Sequence, residues 1–258
     1  MRRDTPRLHA WLLRCIAGLG LFVSMNASCA DARIAVAANF AGVAKQLADE
    51  FGKRSGHRVV LSVGATGKLY AQVVNGAPFE VFLAADDETP ARMEREGRAV
   101  AGTRLTYAIG RLVLWSRIPG FVDAEARVLS GNRFRKLALA NPRLAPYGQA
   151  AQQVLARLGV ADGVRDRLVM GENIAQTLQF VSSGNAELGF IALAQLPEVE
   201  QRTPGSRWIV PSDLHDPLRQ DAVLLARGAG NPAARAFLEH LRSAAGRATI
   251  KAGGYELP

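Results

Sequence analysis

The chain has 258 residues, 48% of them hydrophobic and 21% charged, and its 32 Lys and Arg against 23 Asp and Glu give a formal charge of +9. That length supports one large or two modest packed domains. Both cysteines, Cys15 and Cys29, fall in the first thirty residues, so the rest of the chain excludes disulfides, thiolate metal sites and a catalytic thiol.

Arg2, Arg3, Arg7 and Arg14 precede an apolar stretch from Cys15 to about Val23, and Ser28-Cys29-Ala30 offers small residues for a signal peptidase. The stretch is well short of the ~20 residues that span a bilayer. Met1–Ala30 therefore reads as a cleaved export signal with a mature start at Asp31. A lipid on Cys29 is the minor alternative, since Asn26-Ala27-Ser28 lacks the aliphatic residue usual at such a site, and Arg2-Arg3 lacks the context of a twin-arginine leader. The leader carries four Arg and one Asp, so the mature balance is +6. Cations such as Lys45, Lys53, Arg92 and Arg95 scatter over helix faces, and no basic stripe with interleaved aromatics suggests nucleic acid.

Arg33–Ala37, Arg58–Ser62 and Phe79–Ala85 read as strands. Between the first two, Val43, Leu47 and Phe51 recur every four residues until Ser55-Gly56 ends the helix, and strand, helix, strand implies parallel pairing. Thr89 as N-cap with Pro90 behind it opens a helix running to about Gly97. The alternation resumes with strands at Leu112–Trp115 and Lys136–Ala140, a helix over Gly148–Leu158, a strand at Leu168–Met170, a helix over Asn173–Ser183 and a strand at Leu188–Ala192. From Pro197 to Pro217 the texture loosens around Trp208–Val210. A strand at Ala222–Ala226 and a helix capped by Asn231-Pro232 follow, with Phe237, Leu238 and Leu241 on the helix's apolar face. The expected fold is α/β in two lobes, residues 31–110 plus 212–258 and residues 111–211, each a mostly parallel sheet flanked by helices with a cleft between them.

Four strand-like runs break into small or polar residues that open a helix: Ala37-Ala38-Asn39-Phe40, Gly64-Ala65-Thr66-Gly67-Lys68, Ala145-Pro146-Tyr147-Gly148 and Gly171-Glu172-Asn173-Ile174. Helix N-termini present unpaired N–H groups and the positive end of the dipole, so several converging on one cleft make an anion site without a cation. Residues 62–68 are no nucleotide phosphate loop, because Ser62 stands where the first Gly belongs and Leu69 replaces the magnesium-holding hydroxyl. Asn39 and Thr66 also read as plain helix caps, Tyr147 as a packed aromatic whose N–H opens a helix, and Ile174 has only its N–H to offer. Glu172 is expected to point away from a buried anion. Asp86-Asp87-Glu88 suggests a capping and interlobe role rather than a cation loop. His57, His215 and His240 lack zinc spacing, with His57 expected to be exposed, and no Gly-x-Ser-x-Gly elbow occurs, so neither a metal centre nor catalysis finds support.

Residues 35–40, 64–72, 75–86, 139–142, 146–148, 171–174 and 187–191, in that order, resemble the periplasmic molybdate-binding proteins of ABC importers, over essentially the whole mature chain. The resemblance implies a periplasmic, non-enzymatic receptor without a cofactor. It is expected to be monomeric, to close on molybdate or tungstate and to hand the ion to a membrane permease. Carried over by position, Asn39 and Thr66 from one lobe and Tyr147 and Ile174 from the other hold the oxygens, with no direct ligand to the metal atom. The best-known branch has Ser at the place of Asn39 and Tyr at that of Ala192; a second branch has Asn and a bulky residue such as Tyr147, as here. Ala38 offers no hydroxyl where that branch can carry one. The alternatives are a receptor for sulfate or another tetrahedral oxyanion and, from another class, a secreted α/β hydrolase.

Overall fold

The computed structural model describes residues 30–258; the expected leader Met1–Ala30 lies, apart from Ala30, outside the described residues. In chain order the elements are β1 (Asp31–Ala37), α1 (Ala41–Ser55), β2 (Arg58–Gly64), α2 (Thr66–Val74), β3 (Val81–Leu83), α3 (Glu88–Arg95), β4 (Leu105–Gly110) and β5 (Leu112–Ser116). Next come β6 (Leu137–Ala140), α4 (Pro146–Arg157), α5 (Ala161–Val164), β7 (Leu168–Gly171), α6 (Ile174–Ser182), β8 (Leu188–Ala192), α7 (Leu196–Glu200) and β9 (Ser206–Ile209). The chain ends with β10 (Leu218–Leu224), α8 (Pro232–Arg242) and α9 (Ala244–Ala252).

The strands form two five-stranded sheets, ordered β2-β1-β3-β10-β4 and β7-β6-β8-β5-β9. In the first, β2, β1 and β3 are parallel, and β10 runs against both β3 and β4. In the second, β7, β6 and β8 are parallel, and β5 runs against both β8 and β9. Four strands of each sheet thus point the same way, and one reversed strand sits second from an edge. This is the two-lobe α/β architecture expected from the alternation.

Local chemistry explains the elements. Ile34 and residues 35–37 of β1 are buried because helices cover both faces of a central strand. Val43, Leu47 and Phe51 of α1 turn inward, each contributing about 1.5–3 kcal/mol by burial, and Gly56 ends the helix at φ 72°, where a Cβ would be strained. Phe237, Leu238 and Leu241 of α8 join the same core. The second lobe's core, around Leu114, Leu139, Val154 and Phe190, continues across the cleft into Ala37, Ala65 and Ala85 of the first. The lobes are packed together.

Several boundaries differ from expectation. β4 was not anticipated, and β10 begins four residues earlier than Ala222. Thr89 is not the cap of α3: Asp87 holds that position, and Asp86 accepts from the Thr89 N–H at 2.8 Å. Asp86, Asp87 and Glu88 stay within the first lobe, where the Asp86 carbonyl accepts from the Asp221 N–H on β10 and Asp87 faces Arg219 at 4.0 Å; the interlobe role does not hold. His57 is half-buried rather than exposed, accepting from the Ala30 N–H at 3.2 Å.

Candidate functional site

The ends of β1, β2 and β3 in one lobe face the starts of α4 and α6 in the other across a small cavity of about 10 Å³. Residues 37–39, 64–66 and Ala85 line it from the first lobe, and residues 145–147, Asn173 and Ile174 from the second. Asn39, Thr66, Tyr147 and Ile174 all line it and are all buried. None of the lining residues is charged.

Each helix start leaves a definite donor. In α6 the Asn173 side chain caps the Ala175 and Gln176 N–H groups at 3.0 Å, and the Thr177 N–H returns to the Asn173 carbonyl. The first-turn N–H that remains is that of Ile174. In α4, Pro146 has no N–H, and Gly148 and Gln149 both donate to the Ala145 carbonyl, which leaves the N–H of Tyr147. In α2, Leu69 donates to Ala65 and Gly67 donates across the cleft to the Leu144 carbonyl at 2.9 Å, leaving Thr66 and Lys68. The α6 dipole and its spare N–H aim at the same space as those of α2 and α4.

Side chains add to this. Thr66 is the first residue of α2 rather than its cap, and its hydroxyl oxygen accepts from the Ala85 N–H at 3.1 Å, so its proton is free for another acceptor. Asn39 is no helix cap either: it sits within a single 3₁₀ turn, and its side-chain nitrogen donates to Gln220 Oε1 at 2.8 Å and to the Tyr255 hydroxyl at 3.1 Å. Tyr255 in turn donates to the Asn39 carbonyl at 2.7 Å. The Tyr147 hydroxyl accepts from Gln220 Nε2 at 3.1 Å, and that of Tyr107 binds the Ala84 carbonyl at 2.9 Å. Burial raises all three phenols above their ordinary range, so they remain protonated donors.

Charge stays at the rim. Glu172 turns away from the cavity, as expected, and pairs with Lys68 of the other lobe at 2.8 Å, both side chains about half exposed. His215 Nδ1 meets the Asp216 carbonyl and His240 packs on Phe51 and Phe237; among the described residues no cluster suits a metal ion. Gln220 and Tyr255 were not anticipated. Both reach the site through the three-dimensional fold alone, and no local motif marks them.

A buried, uncharged, donor-rich cavity between two α/β lobes defines a binding protein for a small anion. The family model of bacterial extracellular solute-binding proteins matches residues 32–256, and the chain belongs to that family. The chain is 51% identical over 247 residues to the molybdate-binding protein ModA of Azotobacter vinelandii, covering 95% of this chain and 98% of that one. To ModA of Rhodobacter capsulatus it is 42% identical over 252 residues, covering 98% and 97%. Among solved structures, the periplasmic molybdate-binding protein of Azotobacter vinelandii superposes with a TM-score of 0.85 at 43% identity, covering 88% of this chain and 99% of that one.

Proposed function

We propose that this protein captures molybdate, or its congener tungstate, in the interlobe cavity outside the cytoplasm and delivers it to the permease of an ABC importer. The observation that carries the reading is the donor set: N–H and O–H groups from both lobes converge on a buried cavity that holds no carboxylate and no cation. A deprotonated dianion only accepts hydrogen bonds and fits such a shell, whereas a protonated phosphate must donate to an acceptor. Relatives named for molybdate at 51% and 42% identity favour it over sulfate.

In this reading the Ile174 and Tyr147 N–H groups and the Thr66 hydroxyl hold the oxygens directly. Asn39 contributes its main-chain N–H, because its side-chain hydrogens are engaged by Gln220 and Tyr255. The lobes are residues 31–110 with 212–258 and residues 111–211, the leader ends at Ala30, and the mature protein acts as a monomer without cofactor or catalysis. The test is a thermal-shift and calorimetric screen of the mature chain against molybdate, tungstate, sulfate and phosphate, since a ligand of the folded state raises the melting temperature. Molybdate and tungstate are expected to stabilise it far more than sulfate. Equal stabilisation by sulfate would overturn the assignment.

A further inference from the structure

Three ion pairs join the lobes among the described residues. Arg111–Glu256 at 3.7 Å and Arg157–Asp216 at 3.4 Å each involve a residue near a lobe boundary, Arg111 or Asp216. Lys68–Glu172, at 2.8 Å, joins instead two stretches that line the cavity: Lys68 follows Thr66 by two residues, and Glu172 immediately precedes Asn173 and Ile174. Neither residue lines the cavity itself, whose wall carries no charge, and both side chains are about half exposed. One or two residues of chain span at most about 4–7 Å. Both charges are thus anchored roughly one screening length from the cavity, which is about 10 Å at 0.1 M salt.

We infer that Lys68 and Glu172 tune affinity through their opposite fields on the arriving dianion, not as a latch between the lobes: Lys68 draws the ion toward the seam and Glu172 limits the pull. This rests on the reading of the cavity as an oxyanion site. A half-exposed pair gains little from its own contact, and lobes that part free each charge from the other. A charge at the rim acts on capture and fades with salt, whereas neutral donors inside fix the bound geometry. A dianion feels that charge twice as strongly as a monoanion does. The rim therefore selects for charge, and the cavity selects for shape and for hydrogen-bond acceptance. The ion pair makes the two roles compatible, because in the closed molecule Glu172 takes Lys68 and the bound ion is left to the uncharged donors.

The test is calorimetric titration of sodium molybdate into wild type, Lys68→Met, Glu172→Gln and the double variant, at ionic strengths of about 0.01 M and about 1 M, where charges are screened over about 30 Å and about 3 Å. Both positions are half exposed and outside the cores, so the variants are expected to keep the fold. At the lower strength Lys68→Met is expected to weaken binding about 3- to 10-fold and Glu172→Gln to tighten it by a similar factor, with the double variant near wild type. At the higher strength the four proteins are expected to bind alike. A latch gives a different pattern, since either single substitution breaks the same contact: both weaken binding, and the double variant is no worse than either. That pattern, equal affinities at the lower strength, or differences that survive the higher one would overturn the inference alone. Failure of wild type to bind molybdate would overturn the proposed function beneath it.

Discussion

Thr66 spends its hydroxyl oxygen on the Ala85 N–H and keeps its proton. Thr66→Ala is therefore expected to weaken oxyanion binding by about 1.5–3 kcal/mol, and Thr66→Ser to restore most of it, as read by titration. Equal affinity in the alanine variant would reduce Thr66 to a brace for β3. Asp86 carries a prediction of another kind. Burial pushes its carboxyl up to about 6, with Asp87 and Glu88 adding to the rise and two hydrogen bonds from Thr89 opposing it. The folded state then holds the proton more tightly than the unfolded chain, whose carboxyl titrates near 3.8, so stability is lost as pH rises from about 4 through about 6. Asp86→Asn keeps an acceptor for Thr89 and removes the charge. Its melting temperature is expected to gain on that of wild type between those pH values, by scanning calorimetry; a constant difference would mean that Asp86 ionises freely in the fold.

At the scale of elements, the start of α4 is pressed against the end of β6: a Cβ on Gly148 would come within 2.1 Å of the Ala140 carbonyl oxygen. Gly148→Ala is expected to push the helix start outward, at an overpacking cost of about 1–3 kcal/mol, and to weaken ligand binding because the Tyr147 N–H moves with it. A variant with unchanged melting and affinity would show that α4 tolerates the shift. The four breaks that open onto the cavity were legible in the sequence, because strand-to-helix turns leave a local signature of small and polar residues. β8 was legible to the residue, since a fully buried strand is an unbroken apolar run. What stayed hidden is non-local. Asn39 meets Gln220 across 181 residues and Tyr255 across 216, and no periodicity announces such a pairing. β4, with Thr106 and Tyr107 amid its apolar residues, and the Ala-rich α9 lack the contrast that made their neighbours readable.

The molecule is closed. Gly67 with Leu144, Lys68 with Glu172 and Gln220 with Tyr147 bridge the lobes. If the ligand draws donors from both lobes, binding selects this state. Small-angle scattering is expected to give a smaller radius of gyration with saturating molybdate than without, and little change with sulfate. An unchanged radius despite proven binding would mean that the free protein is already shut. The exposed Lys68–Glu172 pair contributes little to that balance, since ion pairs of this exposure are worth about 0–1 kcal/mol. The strand order has a further consequence, for the order in which the chain can assemble. β10 lies between β3 and β4, so the first sheet stays split until the whole intervening lobe has been made, whereas the second sheet draws on one continuous stretch. Contacts between distant stretches close late. In a chain made from its N-terminus, the lobe begun second is the one completed first, and Asn39 waits for its bond to Tyr255 until the stretch beyond β10 has followed.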